Sequence, residues 1–436
     1  MHDPNPGYDF DEEITMTMSD WYHPEMPGLL DLYESPASVF NNSIESGQPP
    51  IPDSGLINES SNSSIYLKPG KTYLIHMMHV GNFAGVAIYF DDHEFTTVGV
   101  DGVATHPTPL GEKNLRIAPA QRWDVLVTTK NDTSKNYAIF AILDLNMLFP
   151  PLGIPPKGYN PNITAYLVYD EAKTLPPPVV IHEFNFFDDV ALKPADDGAL
   201  LEPVDHRIVL DMADANITGT PRFNINNITY LAQRVPSWYT ALTVGNYNTD
   251  PLVYGVNTIP YILKYNEVVE IVVNNLHKNL HPMHLHGHHF QVVERSFPDT
   301  GSWPGSYMAN VSSTPVRRDT VMLNKKGWAI LRFRADNPGV WLFHCHIEWH
   351  VQSGLMMTMV EAPERLLDRR SHGRNRGGYG SNQSDSVPGV PQQHLDVCKK
   401  YGMKYRGNAA GNVDDPLNLT GQITLADVEE YTNVRG

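Results

Sequence analysis

Two short runs concentrate side chains that can bind a redox metal. The first is His281-Pro282-Met283-His284-Leu285-His286-Gly287-His288, and the second is His344-Cys345-His346-Ile347-Glu348-Trp349-His350. A lone histidine on an apolar face is ordinarily a core residue, but this density of imidazole and thiol is not explained that way. On an extended strand, residues i and i+2 share a face and i+1 takes the other. His284 and His286 therefore project together, as do His344 and His346, and Cys345 points the opposite way. One strand separates a thiolate on one face from imidazoles on the other, and Cys345 is covalently adjacent to both flanking histidines. An electron reaching the sulfur has a short through-bond path across the strand. His281, where the first strand begins, and His350, past a turn, complete a His2Cys set. That set suits a blue-copper electron-transfer site. Zinc is the rival, but a structural zinc site takes four donors. The residue ten positions after Cys345 is Leu355, which donates nothing. Met356, one position on, is the lesser axial candidate. A three-donor site favours copper at a raised potential.

The elements that must hold these residues are short β-rich runs bounded by Gly, Pro, Asn and Asp: Glu13–Met18, Thr72–His79, Ala87–Phe90, Trp123–Thr129, Tyr137–Leu143, Val268–Asn274, Ala329–Ala335 and Met356–Glu361. Several alternate in polarity, as half-buried strands do. The sequence predicts an all-β protein of sandwiches or barrels. It also contains a diverged repeat. Phe90–Phe95 aligns with Leu285–Phe290, Gln121–Leu126 with Lys326–Leu331, and Tyr137–Ile142 with Trp341–His346. The second copy places its ligands where the first has Val86, Tyr89, Asp91, Phe140, Ala141 and Ile142. The expected organisation is a ligand-free β-domain over 1–170, a Pro-rich connector over 171–203, a metal-binding β-domain over 204–365, and a polar loop and tail over 366–436. Residues 369–393, rich in Arg, Gly, Ser and Asn, read as a disordered loop.

The 436 residues are 41% hydrophobic and 19% charged, with a net charge of -17, so the chain is globular and ill suited to a nucleic-acid or anionic-membrane partner. No apolar run reaches the ~20 residues of a membrane span, and Met1–Phe10 is no signal peptide. Two cysteines, Cys345 and Cys398, exclude a disulfide framework. Asn-x-Ser/Thr sequons begin at Asn41, Asn58, Asn62, Asn131, Asn162, Asn216, Asn227, Asn310, Asn382 and Asn418. They point to a glycoprotein, secreted or at the cell surface.

The two histidine-rich runs resemble the C-terminal signature of multicopper oxidases, the laccases and ferroxidases. Asp11-Glu12-Glu13-Ile14-Thr15 and Ser19-Asp20-Trp21-Tyr22-His23 are similar to the opening of that family's second domain. The resemblance implies cupredoxin-like Greek-key β-barrels and copper as cofactor. It implies a type 1 copper held by His281, Cys345 and His350 with Leu355 axial, a type 2 ligand in His284, and type 3 ligands in His286, His344 and His346. Single electrons would enter at type 1 copper, and O2 would be reduced to water at the trinuclear cluster. The family draws four more histidines from two His-x-His motifs in a first domain, and residues 1–280 contain no His-x-His. The expectation is a chain of second and third domains, with the first domain missing and half a trinuclear cluster supplied. The Leu395-Asp396-Val397-Cys398 setting resembles a family segment whose cysteine can pair with one in the first domain.

Among resembling proteins, iron-uptake ferroxidases hold Fe2+ with acidic residues beside type 1 copper. Two of those places are Gly99 and His277 here, and Asp214 is a loose match to a third. Without the two carboxylates, Fe2+ lacks hard oxygen ligands. The expected activity is therefore laccase-like oxidation of phenols or pigment precursors, with a ferroxidase, or a non-catalytic electron-transfer protein, as alternatives.

Overall fold

A computed structural model describes residues 7–34, 49–132, 134–150, 152–178, 184–217, 220–308, 310–372, 386–387 and 389–428. Each half of the chain forms two packed antiparallel-rich sheets. In the first half a six-stranded sheet runs in the order Ser54–Ile57, Glu12–Trp21, Thr72–His79, Arg122–Thr128, Thr96–Val100, Val103–Pro109. Its five-stranded partner runs Asn62–Tyr66, Asn162–Val168, Tyr137–Leu143, Val86–Phe90, Leu115–Ile117. The second half repeats this strand for strand. Its larger sheet is Thr220–Ile225, His206–Ile217, Val268–Asn275, Trp328–Arg334, Phe290–Arg295, Arg317–Arg318. Its smaller sheet is Pro260–Leu263, Met356–Glu361, Gly339–Cys345, His281–Leu285, Thr320–Leu323.

The repeat holds at the level of register. Tyr89 pairs with Phe140 and Ile88 with Ala141 in the first barrel. His284 pairs with His344 and Met283 with Cys345 in the second. The same cross-strand positions therefore carry an aromatic pair, with ring centroids 4.6 Å apart, in one copy and an imidazole pair in the other. Inward residues such as Ile75, Phe90, Val125, Ile271, Phe290, Leu331 and Phe343 are fully or almost fully buried, and one contiguous apolar core runs through both barrels. Burial at about 25 cal/mol per Å² drives both halves together.

The connector is packed rather than free. His106 donates its backbone N–H to Lys193 O, Asn114 to Asn185 O, and Leu192 is 1% exposed. Part of the expected disordered loop is helical. Helices Pro363–His372 and Gln392–Lys400 take in its two ends, because Leu366, Leu395 and Cys398 each find an apolar face to bury. Its stretch 373–385, which contains the sequon at Asn382, lies outside the described residues, as does the sequon at Asn41.

Candidate metal centre

The strand His281–Leu285 lies between Gly339–Cys345 and Thr320–Leu323, so the two histidine-rich runs meet at the centre of the smaller sheet. Alternation then sorts them. On one face Cys345 Sγ stands 3.5 Å from both His281 Nδ1 and His350 Nδ1, and the two nitrogens are 3.2 Å apart. All three residues are fully buried. Donors about 2.0–2.3 Å from one ion and separated by about 105° stand roughly 3.2–3.5 Å from one another. This triangle fits a single metal ion at its centre. His350 reaches the site from the short helix Glu348–Gln352, whose Trp349 is wedged edge-on between Tyr22 and Tyr33, with ring centroids 5.9 and 5.5 Å away. Trp349 Nε1 donates to Tyr22 Oη at 3.2 Å, which fixes the turn that aims His350.

Register also settles which of Leu355 and Met356 lies beside the sulfur. Met356 pairs with His344, so it belongs to the opposite face. The Cys345 N–H donates to Leu355 O, which continues the pairing by one step and sets Leu355, fully buried, across from Cys345.

On the other face, donor atoms of His284, His286 and His344 lie within 4.8 Å of one another. His286 Nε2 and His344 Nε2 are 3.0 Å apart. The His346 ring stands 5.6 and 5.5 Å from those of His284 and His344, outside that converging trio, and its buried Nδ1 makes no hydrogen bond among the described residues, with Glu348 Oε1 3.9 Å away. His344 Nδ1–H donates to Cys345 O at 2.8 Å, and His284 Nδ1–H donates to Asp319 O at 2.9 Å. Both leave the Nε2 lone pair directed at the cluster. His288 turns away and binds Glu361 Oε2 at 2.6 Å.

Burial keeps four of the imidazoles neutral. Burial, with the neighbouring histidines adding to it, holds His344 near 3 and His346 near 4, and pushes His281 and His350 well below the usual range. Burial pushes the Cys345 thiol up, although the Ile347 N–H offsets part of this. The thiol therefore stays protonated until a cation displaces the proton.

Two further groups stand behind the histidines: His277, which the sequence marks only as a missing carboxylate, and Asp319, which it does not mark at all. His277 Nδ1 lies 3.0 Å from His281 Nε2, so the edge of the His281 ring leads to a second imidazole, and the exposed Asp214 acts electrostatically on His277. Asp319 backs His284. At Gly99 a side chain would meet Asp124 Oδ2 at 2.6 Å, and Asp124 is itself held by His76 Nδ1 at 2.6 Å.

Residues 12–172 and 225–365 each match a family model described as multicopper oxidase. The crystal structure of Fet3p, a multicopper oxidase that functions in iron import, superposes with a TM-score of 0.86 at 35% identity, over 97% of this chain and 75% of that one. The chain belongs to the multicopper oxidase family. This is a family of copper-dependent oxidoreductases built from cupredoxin-like β-barrels, and its metal is copper. Among similar proteins, the iron transport multicopper oxidase fetC of Epichloe festucae is 40% identical over 98% of this chain and 65% of its own length. The iron transport multicopper oxidase FET3 of Saccharomyces cerevisiae is 37% identical over 95% of this chain and 62% of its own length. The chain thus spans somewhat less than two thirds of these relatives. A laccase from B. aclada shares the fold, with a TM-score of 0.70 at 22% identity, over 91% of this chain and 69% of that one.

Proposed function

We propose that this chain carries the electron-accepting copper centre and half of the oxygen-reducing cluster of a multicopper oxidase. The observation that carries the reading is the buried His281–Cys345–His350 triangle back to back with the histidine face across one strand. Copper bound at these two faces supplies one-electron oxidation of a reductant and reduction of O2 to water. His281, Cys345 and His350 would hold the first metal, with Leu355 buried beside the sulfur. His284, His286, His344 and His346 would hold cluster metal. The Cys345–His346 peptide link and the His344 Nδ1–H to Cys345 O bond join the faces by two short routes. A complete cluster needs further imidazoles, which we propose come from another segment of polypeptide.

Ferrous iron is the reductant we propose, because the relatives at 37–40% identity are iron transport oxidases. A second reading, an organic reductant such as a phenol or pigment precursor, is favoured by one feature. His277 rather than a carboxylate meets His281. Six sequon asparagines, Asn58, Asn62, Asn131, Asn227, Asn310 and Asn418, are exposed, which supports a glycosylated, secreted or cell-surface protein. The test is anaerobic stopped-flow bleaching of the copper–thiolate absorption by Fe2+ and by a methoxyphenol. Faster bleaching by Fe2+ supports the iron reading, and bleaching by the phenol alone overturns it. Failure of both overturns the oxidase reading.

A further inference from the structure

The barrel that holds no metal donors reaches the histidine face through a pair of residues 197 positions apart in sequence. Arg122, at the head of the strand Arg122–Thr128, grips the Asp319 carboxylate with two bonds, Nη1 to Oδ1 at 2.8 Å and Nη2 to Oδ2 at 2.7 Å. Asp319 in turn accepts the His284 Nδ1–H on its backbone oxygen at 2.9 Å, with Oδ1 3.6 Å from the same nitrogen. Thr320 Oγ1 lies 3.0 Å from His284 Nδ1 and donates to Asp319 Oδ1 at 2.8 Å. Behind this corner stands Asp101, on the tight turn Asp101-Gly102, where both residues have positive φ, 48° and 82°. Its Oδ1 accepts the Arg122 backbone N–H at 2.9 Å, and its backbone oxygen accepts Arg122 Nη2 at 2.8 Å. Its Oδ2 accepts Arg318 Nε at 2.9 Å and the Thr320 N–H at 3.2 Å. Arg318 is fully buried and pairs on its far side with Asp189 of the connector.

We propose that Arg122 is a positioning residue for His284, acting through Asp319 to hold the imidazole ring in its metal-binding tautomer and plane. The inference rests on the copper reading above. Two parallel bonds from a planar guanidinium fix a carboxylate in orientation as well as position. A ligating histidine whose other ring nitrogen is hydrogen-bonded keeps both its tautomer and its angle. The ring of His284 is only partly buried, so packing alone does not orient it. The ligand-free barrel thereby acquires a role: it presents Arg122 and Asp101 to the Asp319–Thr320 corner.

The test titrates the chain with Cu2+ alone, reading the Cys345-centred visible band and the nitrogen hyperfine pattern of copper at the histidine face. Arg122→Gln is compared with Arg122→Lys and with Arg317→Gln, which removes a nearby ion pair to Asp196 without touching Asp319. In Arg122→Gln, copper at the histidine face is expected to weaken about 10- to 100-fold, the usual effect of losing an outer-shell partner. The hyperfine pattern changes while the visible band stays. Arg122→Lys falls between, since an ammonium restores charge but not the paired bonds, and Arg317→Gln matches the unsubstituted chain. Unchanged affinity and hyperfine pattern in Arg122→Gln would overturn the proposal. So would parallel loss of the visible band, which would make Arg122 a general prop between barrels. An unsubstituted chain that takes up no copper at either face would overturn the copper reading itself, and the positioning role with it.

Discussion

Acidification of the copper-free chain from about pH 7 to about pH 5.5 should destabilise it. His79 is buried and held near 4: burial lowers it, the Nε2–H bond to Ala84 O at 2.7 Å offsets part of this, and the neighbouring His346 lowers it further. His344 is buried and held near 3. In the unfolded chain each titrates near 6.5. Both folded values are lowered, so the unfolded state binds more protons below pH 6.5, and stability is lost as pH falls through that value. Above it there is no dependence from these groups. From about pH 7 to about pH 5.5 each such histidine subtracts about 1.2 kcal/mol. The pair subtracts about 2.4 kcal/mol, a large part of a typical margin of about 5–15 kcal/mol. His277, His281, His346 and His350 act in the same direction. Urea unfolding followed by tryptophan fluorescence, with a copper chelator present, should show the midpoint falling between these two pH values. His79→Gln should remove part of the fall, and copper, which binds only neutral imidazole, should oppose it. A midpoint constant from pH 7 to 5.5 would refute the claim that these imidazoles are buried neutral.

Leu355→Met should lower the reduction potential of the Cys345 centre while copper stays bound, because a thioether adds a weak axial donor; an unchanged potential would place the axial direction elsewhere. Copper binding at the buried thiol should release a proton, measurable in weakly buffered solution at pH 7, and Cys345→Ser should abolish the release at that face. Arg318→Gln should cost roughly 1.5–3 kcal/mol, since Asp101 and Asp189 lose their shared buried cation but keep Arg122 and Arg295; a loss under about 1 kcal/mol in thermal unfolding would contradict that.

Periodicity made the strands legible. Thr72–His79, Tyr137–Leu143 and Met356–Glu361 fall where alternation or apolar runs place them, because one face of each meets the core and a one-residue slip would invert it. The two-faced placement of these side chains was legible for the same reason: on a strand, His344 and His346 share a face and Cys345 takes the other. The repeat was legible because register is shared even where residue types are not, as Tyr89–Phe140 and His284–His344 show. What lies between the barrels was not legible. The Arg122–Asp319 and Arg318–Asp101 pairs join residues about two hundred positions apart, and no local pattern announces them. The His277–His281 contact spans only four residues but needs a loop geometry that spacing does not fix. The tail helices were hidden in a polar composition, because few apolar side chains, Leu366, Leu395 and Cys398 among those described, mark their buried side.

The central claim is that Cys345, His281 and His350 form one copper centre. Anaerobic addition of copper to the chain, followed by visible absorption and compared with Cys345→Ser, tests it most directly. The account predicts an intense thiolate-to-copper absorption that saturates at one ion per chain and is absent from Cys345→Ser. Copper that binds tightly to the unsubstituted chain without that absorption, or the same absorption in Cys345→Ser, would contradict it.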